Sequence, residues 1–218
     1  MMLEPSSCPL CPAFTPVQKT LRISSIPLPY ASSINSATPI KIPGDGKVDF
    51  TMNSDLLPLH TIFKEPLRLE WPDHQVLFLG MGCFWGVERL FWKHPLVRST
   101  SVGYAGGTFE SPTYQQVCTG QTGHAEVVQV VFDRSEESLK EMMRLFWENH
   151  DPTQYHRQGP DIGSQYRSVV FTTAPNQIKW VEDSLAIANQ ALVQKGLGLS
   201  TTEILPFKNY FQMIYKNF

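Results

Sequence analysis

The sequence predicts an α+β domain preceded by a long Pro-rich head. From about Trp71 onward, strand-length apolar runs alternate with amphipathic helical stripes in the order β-α-β-(α)-β-α-β-α-β. The second and third strands have no helix of full length between them, which favours an α+β sheet over a doubly wound one. No internal repeat is visible.

At 218 residues the chain suits one domain with an appended segment. Residues 1–70 are read as a disordered head: Pro, Ser and Thr dominate, and apolar residues keep no period that would bury enough surface to offset ordering entropy. The domain is placed at 71–218. A net charge of -2, without basic runs, argues against a nucleic-acid surface. No apolar stretch approaches the roughly 18 residues of a membrane span. Cys8, Cys11, Cys83 and Cys118 suggest no disulfide framework, and the apolar core of a secretory signal is missing. A reducing cytoplasm is expected. A mitochondrial location is the alternative because the head is Ser-rich and acid-poor, although its prolines oppose an amphipathic targeting helix.

Gln75 to Met81 is a nearly continuous apolar run of strand length and predicts a buried strand. Gly80 and Gly82 punctuate it. A helix follows from Trp85, with Val87, Leu90 and Phe91 on one face, and stops before Pro95. Val97 to Tyr104 predicts a second strand, closed by Gly106 and Gly107, with a loop and short helix around Ser111 to Cys118. His124 to Phe132 carries the strongest strand signal, valines flanking Gln129. Asp133 or Ser135 can cap the next helix, where Leu139, Met142, Met143, Phe146 and Trp147 form a stripe. A polar loop is expected from Asp151 to Gln165, then a strand from Tyr166 to Thr172. Thr173, with Pro175 just inside, opens a helix that Gly196 ends, and Thr201 to Leu205 forms a short last strand.

Among residues able to do chemistry, Cys83 stands out. A thiol is nucleophilic as its thiolate, and its ordinary pKa of about 8.5 leaves little thiolate at neutral pH. Cys83 lies between a strand and a helix, where unsatisfied helix N–H groups favour an anion. The flanking Gly82 permits a tight turn. The alternative is a small buried cysteine packing as a hydrophobe. Phe84 and Trp85 either belong to the core or wall an apolar recess for a methyl-bearing ligand. Glu126 shares a strand face with His124, Val128, Val130 and Phe132. A carboxyl heading a valine row is desolvated, which raises its pKa and suits it to donate a proton, unless it reaches solvent at the strand end. His124 is either a ligand or a satisfied structural histidine. Tyr104 and Tyr166 stand at expected strand ends, as rim aromatics or as phenol donors to a substrate oxygen.

Two other patterns carry less. Gly80-Met-Gly82-Cys-Phe-Trp-Gly86 sits where a dinucleotide loop would, but its glycine spacing is wrong and Phe84-Trp85 would obstruct a pyrophosphate. Cys8-Pro-Leu-Cys11 has metal-knuckle spacing without a second ligand pair.

Five motifs, in order, carry a resemblance. They are Gly82-Cys-Phe-Trp-Gly-Val-Glu88, Gly103-Tyr-Ala-Gly-Gly107, Thr122-Gly-His-Ala-Glu-Val127, Phe146-Trp-Glu-Asn-His-Asp-Pro-Thr153 and Asp161-Ile-Gly-Ser-Gln-Tyr-Arg-Ser168. Over about Gln75 to Leu205 the chain resembles the A-type peptide-methionine (S)-S-oxide reductases. The resemblance implies a mixed β-sheet with flanking helices on a ferredoxin-like core. It implies that Cys83 attacks the sulfoxide sulfur, that Glu126 protonates the departing oxygen, and that Tyr104 and Tyr166 hydrogen-bond it. Phe84 and Trp85 would receive the S-methyl group, with Asp161, His124 and the Asp151 loop shaping the substrate pocket. No metal or organic cofactor is implied; electrons come from thioredoxin or a small thiol. The expected partners are oxidised proteins or free methionine sulfoxide and a thiol reductant, with no nucleic acid or membrane, and the chain is expected to be a monomer.

After Leu205-Pro206 the chain departs from the family pattern. Members continue with an acidic helix containing His and Gln and a Gly-rich tail bearing recycling cysteines; here Phe207 to Phe218 contains no cysteine. This leaves open a second reading: a catalytically impaired redox-sensing or binding protein that keeps the pocket.

Overall fold

The computed structural model describes residues 71–213, together with Leu21, His60, Ile62 and Phe63. A six-stranded mixed sheet in the order β7-β6-β1-β3-β2-β8 forms its centre. Strands β1 (Gln75–Met81), β2 (Val97–Ala105), β3 (Ala125–Phe132) and β6 (Ser168–Thr172) pair antiparallel. The edge strand β7 (Glu203–Pro206) runs parallel to β6, and β8 (Tyr210–Gln212) pairs antiparallel with β2. Helices α1 (Phe84–Trp92) and α3 (Glu136–Glu148) are the crossovers of the inner four strands, and the short α2 (Tyr114–Cys118) lies between β2 and β3. The order β6-β1-β3-β2, with these two connections, is the expected ferredoxin-like core.

Strand β1 lies between two neighbours and is covered on both faces, which explains its unbroken apolar sequence. One face carries Leu77, Leu79, Val128, Val130 and Val170 against Phe84, Val87 and Phe91 of α1 and Leu139, Met142 and Phe146 of α3. Helix α4 (Pro175–Gln194) adds Val181, Ala188 and Leu192 to this core. The other face holds Val76, Phe78, Val127, Val131, Val169 and Phe171, covered by Trp71, Phe207 and Tyr210. Phe207 stacks on Phe78 at 4.4 Å and Tyr210 tilts against it at 4.8 Å, so the chain between the two edge strands curls over this face.

Local chemistry sets the helix ends. Ser135 caps α3, its Oγ accepting from Ser138 N at 3.0 Å, and Glu136 and Glu137 suit the positive end of the helix dipole. Gly196 has φ +71° and closes α4: Gly196 N donates to Val193 O and Leu197 N to Leu192 O. Thr173 does not cap α4 as expected. Ala174 holds that position, Gln177 Oε1 accepts from the amides of Thr173 and Ala174, and Thr173 Oγ1 donates to Val76 O of β1.

Other expectations need correction. Tyr166 is not the first residue of a strand; it ends a short 3₁₀ helix, Ser164–Tyr166, and β6 starts at Ser168. The expected loop from Asp151 to Gln165 contains a two-stranded ladder of β4 (Arg157–Gln158) and β5 (Asp161–Ile162). Strand β8 was not expected at all. The head over 1–70 falls outside the described residues apart from four positions. There the chain packs: Leu21 is fully buried in the main core, His60 is buried, and Phe63 lies against that core. Cys8 and Cys11 lie outside the described residues.

Candidate active site

The sheet topology collects the candidate residues at one end. Strands β1 and β2 finish where β3 and β6 begin, because Met81 pairs with Ser168, Tyr104 with Glu126 and Ala105 with Ala125. Cys83 follows β1, Tyr104 closes β2, Glu126 opens β3 and Tyr166 precedes β6. Four residues from four segments therefore share one rim.

Cys83 is half-buried and stands immediately before α1, in an extended conformation with φ -58° and ψ 118°. Gly82 has φ +94°, a backbone region that favours glycine. Its missing side chain also makes room for Gln158: a Cβ on Gly82 would stand 2.7 Å from Gln158 Cβ. The first amide of α1, Phe84 N, donates to Glu126 Oε2 at 3.2 Å. Glu126 is 1 % exposed. A buried carboxyl group thus closes the start of the helix that Cys83 introduces.

Aromatic rings line the same region. Phe84 and Trp85 meet edge to face at 4.6 Å, and Phe84 lies 5.8 Å from Tyr104. Phe84 and Tyr104 are buried, whereas Trp85 is partly exposed. The Tyr104 hydroxyl donates to Met213 Sδ at 4.0 Å. Tyr166 is buried, and Arg167 fixes its segment by bonding Gly123 O, Ser164 O and Glu203.

The remaining candidates divide. Asp151 turns its carboxylate onto its own loop, accepting from Thr153 N, Thr153 Oγ1 and Gln154 Nε2. Burial works to raise its pKa, but these hydrogen bonds outweigh that and hold it below the usual carboxylate value. Asp161 sits opposite Gln158 in the short ladder, one residue removed from Gly82, and burial raises its pKa. His124 is buried with both ring nitrogens engaged: Gly107 N donates to Nδ1 and Nε2 donates to Phe109 O. Of the two roles open to it, the structural one is built.

Sequence reasoning missed several groups at this rim and in the core behind it. Gln158 covers Gly82 and clamps Asp151, accepting from Asp151 N and donating to Asp151 O, both at 3.0 Å. Nothing in a glutamine within a polar loop advertises that. Glu88 is buried on α1, one turn beyond Phe84. It accepts from Thr100 Oγ1, which bonds in turn to His60 Nε2; His60 Nδ1 accepts from the amides of Ile62 and Phe63. Burial pushes the Glu88 carboxyl up to about 7, opposed by the Thr100 hydrogen bond. His150 at the end of α3 donates from Nδ1 to Phe146 O, and its Nε2 accepts from Ser168 Oγ. Burial pulls its pKa down to about 4.

A cysteine at the head of a helix, beside a buried carboxyl and clustered aromatic rings, suits a thiol-based oxidoreductase. Comparison with known proteins gives the family. Residues 75–214 match the family model described as peptide methionine sulfoxide reductase. Peptide methionine sulfoxide reductase MsrA of Brucella anthropi is 55 % identical over 147 residues, covering 66 % of this chain and 67 % of that protein. The Brucella ovis MsrA is 52 % identical over 154 residues, 70 % of each chain. Among solved structures, methionine sulfoxide reductase A of Corynebacterium diphtheriae superposes with a TM-score of 0.67 at 40 % identity, covering 72 % of this chain and 76 % of that one. Reduced Mxr1 of Saccharomyces cerevisiae gives 0.59 at 31 % identity, covering 66 % and 82 %. The chain belongs to the peptide methionine sulfoxide reductase family, in its A type, and its activity is the reduction of methionine sulfoxide.

Proposed function

We propose that this chain reduces the S epimer of methionine sulfoxide, free or in proteins, with Cys83 as nucleophile and Glu126 as proton donor. The observation that carries this assignment is the Phe84 N–H···Oε2 Glu126 bond, which joins the helix start at Cys83 to a buried carboxyl. Cys83 attacks the sulfoxide sulfur while Glu126 delivers a proton to the oxygen, and the Tyr104 and Tyr166 hydroxyls hold that oxygen in place. Methionine departs and Cys83 becomes a sulfenic acid. Phe84 and Trp85 receive the S-methyl group, which selects a methyl sulfoxide by shape. Asp161 and Asp151 act through the loop that Gln158 holds against Gly82.

Two thiols return the sulfenic acid to the thiol, releasing water and a disulfide. Thioredoxin and small thiols are the reductants of suitable chemistry, and no metal or organic cofactor enters the cycle. The reductase domain begins near residue 71, takes Leu21 and Phe63 of the preceding head into its core, functions as a monomer and works in a reducing compartment, the cytoplasm or, alternatively, mitochondria. Assaying each methionine sulfoxide epimer with dithiothreitol and with thioredoxin tests the proposal. Turnover of the S epimer alone is expected; equal turnover of both epimers would contradict it.

A further inference from the structure

The Tyr104 hydroxyl meets a methionine of its own chain. Tyr104 donates to Met213 Sδ at 4.0 Å, so a phenol assigned to the substrate's S–O group is directed at a thioether of the same chain. A thioether sulfur is a weak acceptor, whereas a sulfoxide oxygen is a strong one, so the same donor would bind the oxidised side chain better.

The backbone fixes this placement. Strand β8 pairs with β2 so that Phe211 lies opposite Tyr104, and Met213 N donates to Val102 O at 2.8 Å. Alternation along β8 puts Met213 on the same face as Phe211 and Tyr104. That face is the helix-covered one: Met213 packs, partly buried, against the core cluster that contains Phe84 and Tyr104 and that Trp85 also borders. A methionine is thus held beside Tyr104, with its sulfur on a donor assigned to the site.

We propose that Met213 is the chain's own substrate: Met213 sulfoxide is bound through Tyr104 and reduced in cis by Cys83. This rests on the roles of Cys83 and Tyr104 given under Proposed function. The Cys83 thiolate forms a bond to the Met213 sulfur as the S–O bond breaks. The oxygen and a proton pass to Cys83, giving its sulfenic acid. The Met213 sulfur is reduced by two electrons and Cys83 oxidised by two, and an external thiol then restores Cys83 with release of water. The consequence is a reductase whose edge strand repairs itself before, or in competition with, external substrate.

The experiment uses the full chain. Cys83 is blocked reversibly as a mixed disulfide, Met213 is oxidised with hydrogen peroxide, and conversion is verified by peptide mass spectrometry. Dithiothreitol then unblocks Cys83, and the Met213 peptide is followed with time. Loss of the S sulfoxide is expected with a rate constant independent of protein concentration. It should be about 10³-fold faster than micromolar enzyme could achieve in trans, given the millimolar effective concentration of a short tether. The Cys83→Ser chain, oxidised in parallel, should retain the sulfoxide. Persistence of Met213 sulfoxide while the same sample reduces added N-acetylmethionine sulfoxide would overturn the inference and leave the proposed function standing. Loss at a rate proportional to protein concentration would overturn it likewise. Failure to reduce either sulfoxide would overturn the proposed function itself, and the inference with it.

Discussion

Phe84 and Glu126 are 42 residues apart in the chain, yet the amide of the first donates to the carboxyl group of the second across 3.2 Å in a buried setting. This bond sets the distance between the turn that holds Cys83 and the group assigned to proton delivery. The register of three strands makes it. Tyr104 pairs with Glu126 across β2 and β3, Leu79 pairs with Val128 across β1 and β3, and β1 delivers the chain to Cys83.

Replacing Glu126 by Gln keeps an acceptor for the Phe84 amide but removes the acid. The reductive step should slow by about 10²-fold or more, the usual scale for a general acid. Substrate affinity should change less, because the aromatic walls remain. Single-turnover formation of the Cys83 sulfenic acid against pH is the measurement. An unchanged rate and pH profile would assign proton delivery to another group.

Gly82→Ala should damage both fold and activity. Its φ of +94° is strained for alanine, and the new Cβ would meet Gln158 Cβ at 2.7 Å. Strain of this kind costs about 1–3 kcal/mol. Gln158 would have to move, loosening its two bonds to the Asp151 backbone. Denaturant unfolding should show the loss and steady-state assays a reduced kcat. Wild-type values for both would show that the turn tolerates a side chain.

Glu88 and His150 give opposite pH dependences. The carboxyl of Glu88 is raised from 4.5 to about 7, so between those values the folded chain holds a proton that the unfolded chain has released. Stability from this group falls as pH rises through that window. His150 is lowered from 6.5 to about 4, so the folded chain refuses a proton that the unfolded chain binds. Its contribution is complete above 6.5 and is lost as pH falls toward 4. Glu88→Gln removes the first effect and keeps an acceptor for Thr100. Relative to wild type the variant should gain stability on going from pH 4.5 to above 7, by at most about 3 kcal/mol. Urea unfolding across that range tests this, and parallel curves for the two proteins would contradict it.

Much of this architecture was legible in the sequence, for physical reasons that differ by element. Gln75 to Met81 reads as a buried strand because a strand covered on both faces carries an unbroken apolar run. The α3 stripe is legible because its periodicity and the Ser135 cap are local. Strand β8 was not legible: Tyr210, Phe211 and Gln212 make too short a run to show a period, and pairing with Gly103 to Ala105 holds them. Tyr166 was misplaced because Gly163, at φ +145°, turns the chain just before it. Cys83, Glu126 and the aromatics could be singled out one by one. Gln158 over Gly82, the Phe84–Glu126 bond and the His60–Thr100–Glu88 chain depend on long-range register or docking, which no local pattern encodes. His124, left between two roles, is drawn to the structural one by Gly107 and Phe109.

If Cys83 takes the oxygen from the sulfoxide, a single turnover without reductant leaves that oxygen on the protein as the Cys83 sulfenic acid. Enzyme in excess over L-methionine-(S)-S-oxide is quenched with a sulfenic-acid trap. Methionine is counted, and the modified cysteine is located by peptide mass spectrometry. One methionine should appear per trapped Cys83, and Cys83→Ser, with its fold verified by circular dichroism, should yield neither. Methionine formed by the Cys83→Ser chain at the wild-type rate, or the trap found on Cys118 while Cys83 stays unmodified, would contradict the account.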